Sequence, residues 1–170
     1  MSQTNELEIM ERIALDLEGV EESLASSFNT GAEDFNALIR PLSAAGGKRL
    51  RAQLCLLIAN AGTSVERQRI RIAEAVEMLH LATLIHDDVL DQAEIRRGED
   101  TIHMHKGNKV AILSGDYLFA KAFQIVSEMP NMKYLQVFSH IITCLVEGEF
   151  MQMEDVYRID QGIERYMTKT

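Results

Sequence analysis

Tryptophan is absent from this chain, and proline and cysteine occur only twice each. With Pro41 and Pro130 as the only prolines and little β-branched alternation, strands have little support and helices meet few breakers. Cys55 and Cys144 each lie inside an apolar stretch. They read as small buried hydrophobes of a reducing compartment, and a disulfide between them would need a geometry that sequence does not give. Positive charge is in deficit: 17 Lys and Arg against 26 Asp and Glu leave a net charge of −9. That argues against non-specific nucleic-acid binding, which needs a basic surface, but not against phosphate ligands, for which a local basic cluster suffices. Long apolar runs are missing too; LCLLIA, residues 54–59, is among the longest, so no membrane span is expected. The acidic start MSQTNELEIMER does not resemble a signal peptide. A soluble, cytoplasmic protein is the expectation.

What is present is helical periodicity. The 170 residues are 46% hydrophobic, enough for one domain, 1–170, with a real core. A first amphipathic helix runs from about Glu6 to Ser27 on a stripe of Ile9, Ile13, Leu17, Val20 and Leu24. A short helix around Phe35 to Ile39 ends near Pro41, AAGG (44–47) forms a turn, and Lys48 opens a helix through LRAQLCLLIAN. Thr63 and Glu66 have the spacing of a capping box before a helix reaching about Gln92. Between Ile72 and Ile85 that helix is apolar nearly all round, which predicts a central position. RRGED is read as a loop, Asn108 as the cap of a long helix stopped by Pro130, and Asn131 as the cap of another from Met132 to about Met153. Asp160 would cap a final piece. The predicted fold class is all-α, with two or three buried central helices.

Three carboxylates in the stretch HLATLIHDDVLDQAEIRRGED carry the chemistry. On a helix, Asp87 and Asp91 are one turn apart on one face, with Asp88 beside them, and like charges so placed repel unless a cation sits among them. Magnesium fits, since it takes one or two carboxylates, keeps several waters and completes its shell with phosphate oxygens. Arg96 and Arg97 follow closely, and arginine suits bidentate contact with phosphate. A surface loop balancing Glu94, Glu99 and Asp100 would equally explain these two arginines if they stood alone.

GGKRLR, residues 46–51, is the second basic cluster. Its glycines allow close backbone approach, and Lys48 and Arg51 lie one turn apart at a helix start, where free N–H groups and the dipole favour anions. A turn followed by a solvated basic face would account for the motif by itself, but not for its company. His80 lies two helical turns before Asp87 on roughly the same face; a histidine on a buried helix is more often a satisfied core residue, but this alignment places it to donate to a diphosphate, whereas His86 is read as structural. The pairs His103 with His105 and His140 with Cys144 have too few ligands for zinc. Arg67, Arg69 and Arg71 read as an exposed helix start, and Glu147, Glu149 and Gln152, in an apolar setting, as facing a cavity.

The ordered series GGKRLR, LHLATLIHDDVLD, RRG, SGDYLFAKAF, EGEFMQ and YMTKT resembles the trans-polyprenyl diphosphate synthase family, from about residue 40 to the last residue. The resemblance implies an isoprenoid-synthase-type helical bundle around a deep central cavity. It implies magnesium-dependent, head-to-tail condensation of isopentenyl diphosphate onto an allylic diphosphate. Asp87, Asp88 and Asp91 match the family's first aspartate-rich motif, which holds magnesium on the allylic diphosphate. Arg96 matches an allylic-diphosphate contact; Lys48, Arg51, His80 and Arg97 match the isopentenyl diphosphate site; Lys169 and Thr170 match a Lys-Thr pair near the allylic diphosphate. A terpene cyclase binds one diphosphate and would leave the second basic cluster surplus. Small residues at Ala82 and Thr83, five and four before Asp87, favour a long product, unless Ala82 is simply a helix-packing residue and Met78 or another helix supplies the block. The family also implies a homodimer, with helices at 110–128 and 132–153 as its interface.

Family members are about twice as long and carry a second aspartate-rich motif beyond the Lys-Thr pair, on which this chain stops. The expectation is the N-terminal portion of a polyprenyl synthase, inactive by itself. The alternative is a non-catalytic helical partner subunit of a heteromeric synthase, for which Asp87 would be dispensable.

Overall fold

In the computed structural model, residues 3–28, 33–44, 47–62, 65–160 and 162–169 are described. They form two compact units, Met1–Glu128 and Met129–Thr170. The first holds helices α1 (Gln3–Ser27), α2 (Glu33–Ala44), α3 (Leu50–Asn60), α4 (Glu66–Leu90), α5 (Ile102–Lys106) and α6 (Asn108–Ser127), with a hairpin of β1 (Ile95–Arg96) and β2 (Glu99–Asp100). The second holds α7 (Met132–Glu154) and α8 (Ile163–Lys169).

Helix α4 is the axis of the first unit, as its apolar run predicts. Ala73, Ala75, Met78, Leu79, Leu81, Ala82 and Ile85 are all buried, spread around the helix rather than along one stripe. α6, α3 and α1 pack on it. α6 meets it through Ala111, Ser114, Gly115, Leu118, Ala122 and Ile125, recurring every three or four residues, and α1 turns Ile13, Val20 and Leu24 inward. Full burial of side chains such as Met78 and Leu118 contributes roughly 1.5–3 kcal/mol each.

Four charged residues of α4 are also buried, and each has partners. Arg69 donates to Asp16 of α1 at 3.0 and 3.1 Å. Glu74 accepts from Ser23, Ser27 and Arg71, Glu77 from Arg49 and the Ala52 N–H, and Asp88 from Arg96. Buried charge is tolerated only when satisfied in this way. Of the three arginines expected at an exposed helix start, only Arg67 is exposed: Arg69 is buried against Asp16, and Arg71 is half-buried between Glu74 and Glu128.

Several local expectations change. α2 continues through Pro41, because proline's φ suits a helix and the lost hydrogen bond falls at an exposed position. α4 starts with Val65 at its N-cap and no side-chain cap, and Thr63 lies outside the described residues. RRGED is not an irregular loop: Arg97 and Gly98, at φ 56° and 87°, make the two-residue turn between β1 and β2. Positive φ at both central residues suits the twist of paired strands. Gly107, not Asn108, is the N-cap of α6. α6 is also long and apolar enough to cross a membrane by length and composition, although its Leu118 stripe is buried against the core. Asn131 does cap α7, accepting the Lys133 N–H at 3.0 Å. Cys55 is half-buried, but Cys144 is exposed, unlike the buried hydrophobe expected.

Candidate functional site

The aspartates stand on the last turn of α4, and the chain after them is tightly defined. Gln92 takes the left-handed conformation (φ 53°), the Ala93 N–H bonds the Asp88 carbonyl at 2.9 Å, and the Gln92 N–H bonds the Val89 carbonyl at 3.4 Å. This is the Schellman closure of a helix, with glutamine in the usual place of glycine. Ala93 is held in turn by the Thr101 hydroxyl at 2.9 Å and the His103 Nε2 at 2.8 Å, which gives His103 a structural role. The hairpin carrying Arg96 and Arg97 is thus fastened to the end of the aspartate helix.

Carboxylates at a helix C-terminus oppose the dipole, so three of them there call for positive charge. Arg96 supplies part of it, its Nε–H donating to Asp88 Oδ1 at 2.5 Å. Asp88 is buried, Asp87 half-buried and Asp91 exposed at the C-cap, where its N–H bonds the Asp87 carbonyl at 2.8 Å. Among the described residues, no group of three or more His, Cys, Asp or Glu side chains is arranged to hold a metal ion. Carboxylate oxygens are the donors that a hard cation such as magnesium takes, one or two at a time, with phosphate and water completing its shell.

About two turns before the aspartates, α4 borders a cavity of about 240 Å³ lined by Gly47, Lys48, Arg49, Arg51, Glu77, His80 and Arg97. Four of the predicted residues meet here from three parts of the chain: Lys48 and Arg51 from just before and within the first turn of α3, His80 from α4, and Arg97 from the hairpin turn. His80 Nε2 is 3.2 Å from Arg51 Nη1. The Arg97 guanidinium lies over Gly47, where an added Cβ would stand 3.5 Å from its Nη1. Burial is the largest influence on His80 and pushes its pKa below the ordinary 6.5; Arg51, Arg97 and Arg96 push the same way, against Glu77. A neutral imidazole is therefore held among cations, in a pocket that an anion would complete.

The first arginine of GGKRLR escaped the sequence reading. Arg49 is buried, with its backbone in the left-handed region (φ 45°, ψ 40°), which costs roughly 1–2 kcal/mol for a non-glycine residue. Its Nε and Nη2 donate to the two Glu21 oxygens at 2.6 and 3.1 Å, and its Nη1 to Glu77 at 3.4 Å. An arginine between two cavity cations was the available signal, but partners 28 residues away on either side are invisible to local pattern.

The remaining expectations divide. His86 is structural as expected, its Nε2 3.1 Å from the Ile112 carbonyl and its ring against Phe119. Ala82 is fully buried and Thr83 bonds back to the His80 carbonyl at 2.8 Å. Glu147, Glu149 and Gln152 are exposed on α7. Gly46, Thr170 and the Lys169 side chain lie outside the described residues.

The sequence model of the Polyprenyl synthetase family matches residues 32–170. The chain belongs to that family. It is 34% identical to an octaprenyl diphosphate synthase of Escherichia coli, over 94% of this chain and 49% of the relative. It is 37% identical to heptaprenyl diphosphate synthase component 2 of Geobacillus stearothermophilus, over 91% of this chain and 48% of the relative. The crystal structure of a polyprenyl synthase from Caulobacter crescentus, complexed with calcium and isoprenyl diphosphate, superposes with a TM-score of 0.86 at 32% identity, over 94% of this chain and 50% of that one. The all-α, isoprenoid-synthase-type fold is thereby established, and the chain spans about half the length of the curated relatives it matches.

Proposed function

We propose that this chain forms the diphosphate-binding half of a prenyltransferase that condenses isopentenyl diphosphate with an allylic diphosphate to make a long-chain polyprenyl diphosphate. The observation that carries the proposal is the cationic cavity of Lys48, Arg51, His80 and Arg97 beside an aspartate-bearing helix end. Two diphosphates need two anion sites, and α4 presents both, with His80 and Asp87 seven residues or roughly 10 Å apart along its axis.

In this reading the cavity holds isopentenyl diphosphate, with Lys48 and Arg51 on the phosphates and neutral His80 donating a hydrogen bond. Asp87 and Asp91 would hold magnesium on the allylic diphosphate, while Arg96, oriented by Asp88, would reach the same diphosphate. A magnesium ion held there would supply charge neutralisation of the departing diphosphate, the chemistry that ionisation at the allylic carbon needs. Attack by the isopentenyl double bond forms the new carbon–carbon bond, and loss of a proton restores a double bond. Lys169 and Thr170 belong to the allylic site by their place in the motif. The names of the matched octaprenyl and heptaprenyl synthases support a long product, as do the small Ala82 and Thr83.

A cytoplasmic homodimer is the form we assign. Exposed Val137, Ile141, Leu145 and Phe150 on α7 support association, since such apolar surface is seldom left in water. A partner-subunit role is the second reading, favoured only by the component name of one relative. It gives no reason for the cavity cations.

The test is a prenyl-transfer assay with labelled isopentenyl diphosphate, farnesyl diphosphate and magnesium, run beside calorimetric binding of each diphosphate. Binding of both, with magnesium required for the allylic one, is expected whether or not this length of chain turns over. If neither diphosphate binds, the proposal is wrong.

A further inference from the structure

We propose that Arg49 and Glu21 are positioning residues for the cationic cavity, setting the spacing of Lys48, Arg51 and His80 through ion pairs directed away from it. The inference rests on the reading of that cavity as the isopentenyl diphosphate site.

Arg49 stands in sequence between two of the cavity's cations, yet its guanidinium is committed elsewhere. It forks onto both Glu21 oxygens on α1 and also reaches Glu77 on α4. Its left-handed backbone persists only where the surroundings over-determine it, and a buried arginine gripped by two carboxylates is such a surrounding. This conformation turns the chain from Gly47 and Lys48 into the first turn of α3, and so fixes where Lys48 and Arg51 point.

Glu77 closes the arrangement. α3 has no side-chain cap of its own, and Glu77 Oε1 accepts the Ala52 N–H at 3.0 Å in the helix's first turn. A carboxylate there satisfies an orphan donor and suits the dipole. Glu77 also lies one turn before His80 on α4. A single carboxylate therefore ties the loop, the start of α3 and the histidine-bearing turn to each other. Glu21 is separable from the ligand: its side chain is 47% exposed and it does not line the cavity.

If Arg49 served stability alone, its loss would lower the melting temperature and leave the folded protein's affinities unchanged. A positioning role predicts a selective loss instead. Arg49→Lys keeps the charge but cannot fork, and Glu21→Gln removes the acceptor charge at a distance. Each is titrated calorimetrically with isopentenyl diphosphate, and separately with farnesyl diphosphate and magnesium, at a temperature where its circular dichroism matches that of the native chain. We expect isopentenyl diphosphate to bind roughly 10-fold more weakly in both variants, the scale of losing one charge-assisted hydrogen bond, and farnesyl diphosphate to change less than about 2-fold. Equal losses for the two ligands, or none, would overturn the inference while leaving the cavity's assignment intact. Arg51→Ala is the control: it should lose isopentenyl diphosphate and keep farnesyl diphosphate. A native chain that binds neither removes the assignment, and the inference with it.

Discussion

Arg96 on the β1 strand donates its Nε–H to Asp88 on the last turn of α4 at 2.5 Å, so the middle of the three aspartates already has a cation. The pair separates roles that the sequence leaves merged. Asp88 is buried and oriented towards the hairpin, while Asp87 and Asp91 remain one turn apart on the helix. We expect Asp88→Asn to weaken allylic diphosphate binding through a misplaced Arg96 while keeping its magnesium dependence. Arg96 is partly exposed, so the stability cost should be small, at most about 1 kcal/mol. Calorimetry with and without magnesium reads the difference; an Asp88→Asn protein that no longer responds to the metal would contradict this division.

Asp91 should show the opposite balance. At the C-cap its charge opposes both the helix dipole and Asp87 four residues earlier. Without a divalent ion, Asp91→Asn is expected to stabilise the chain by about 0.3–1 kcal/mol. The same change should remove most of the gain in allylic diphosphate affinity that magnesium gives. Denaturant titration in EDTA measures the first effect and ligand titration the second. A destabilised Asp91→Asn protein would mean that this carboxylate serves the fold rather than a metal.

Gly115 on α6 faces the His86 ring so closely that an added Cβ would stand 2.2 Å from its Nε2. Alanine would gain about 1 kcal/mol in helix propensity. It would also displace a ring held at the Ile112 carbonyl and packed on Phe119, and overpacking of that kind costs roughly 1–3 kcal/mol. The second effect should win. Gly115→Ala is predicted to melt below the native chain, and adding His86→Ala should recover much of the loss. Were the single variant to melt higher, the ring would have to be free to move aside.

What could be read from the sequence was set by distance along the chain. α4 declared itself because a helix apolar all round has one possible place, and Asn131 because a cap and its helix are neighbours. The cavity cations were legible as ordered motifs, each with a residue type suited to phosphate. The burial of Arg69 was not, because its partner Asp16 is 53 residues away; nor was that of Arg49, held by Glu21 and Glu77. The hairpin was missed for a different reason. Two-residue strands are too short for alternation to register, and Arg97 in a left-handed turn position is a choice that glycine or asparagine would have announced and arginine does not.

His80 gives the chain a pH signature with a defined sign. Burial and the neighbouring arginines lower its pKa in the folded state below the ordinary 6.5, so the unfolded chain takes up a proton at a pH where the folded chain does not. Stability from this group is therefore fully present above about pH 6.5 and is lost as pH falls through the unfolded value towards the folded one. His80→Gln should lack this component and hold its stability better between pH 7.5 and about 5.5 than the native chain does. Diphosphate in the cavity reverses the electrostatics, since an anion beside the ring favours its protonation. The native chain should then take up protons on binding isopentenyl diphosphate near pH 6, seen as a buffer-dependent binding enthalpy, and His80→Gln should not. A native protein with no buffer dependence there, together with an acid stability slope unchanged by His80→Gln, would mean that the ring is neither shifted by the cavity nor close to the bound phosphates.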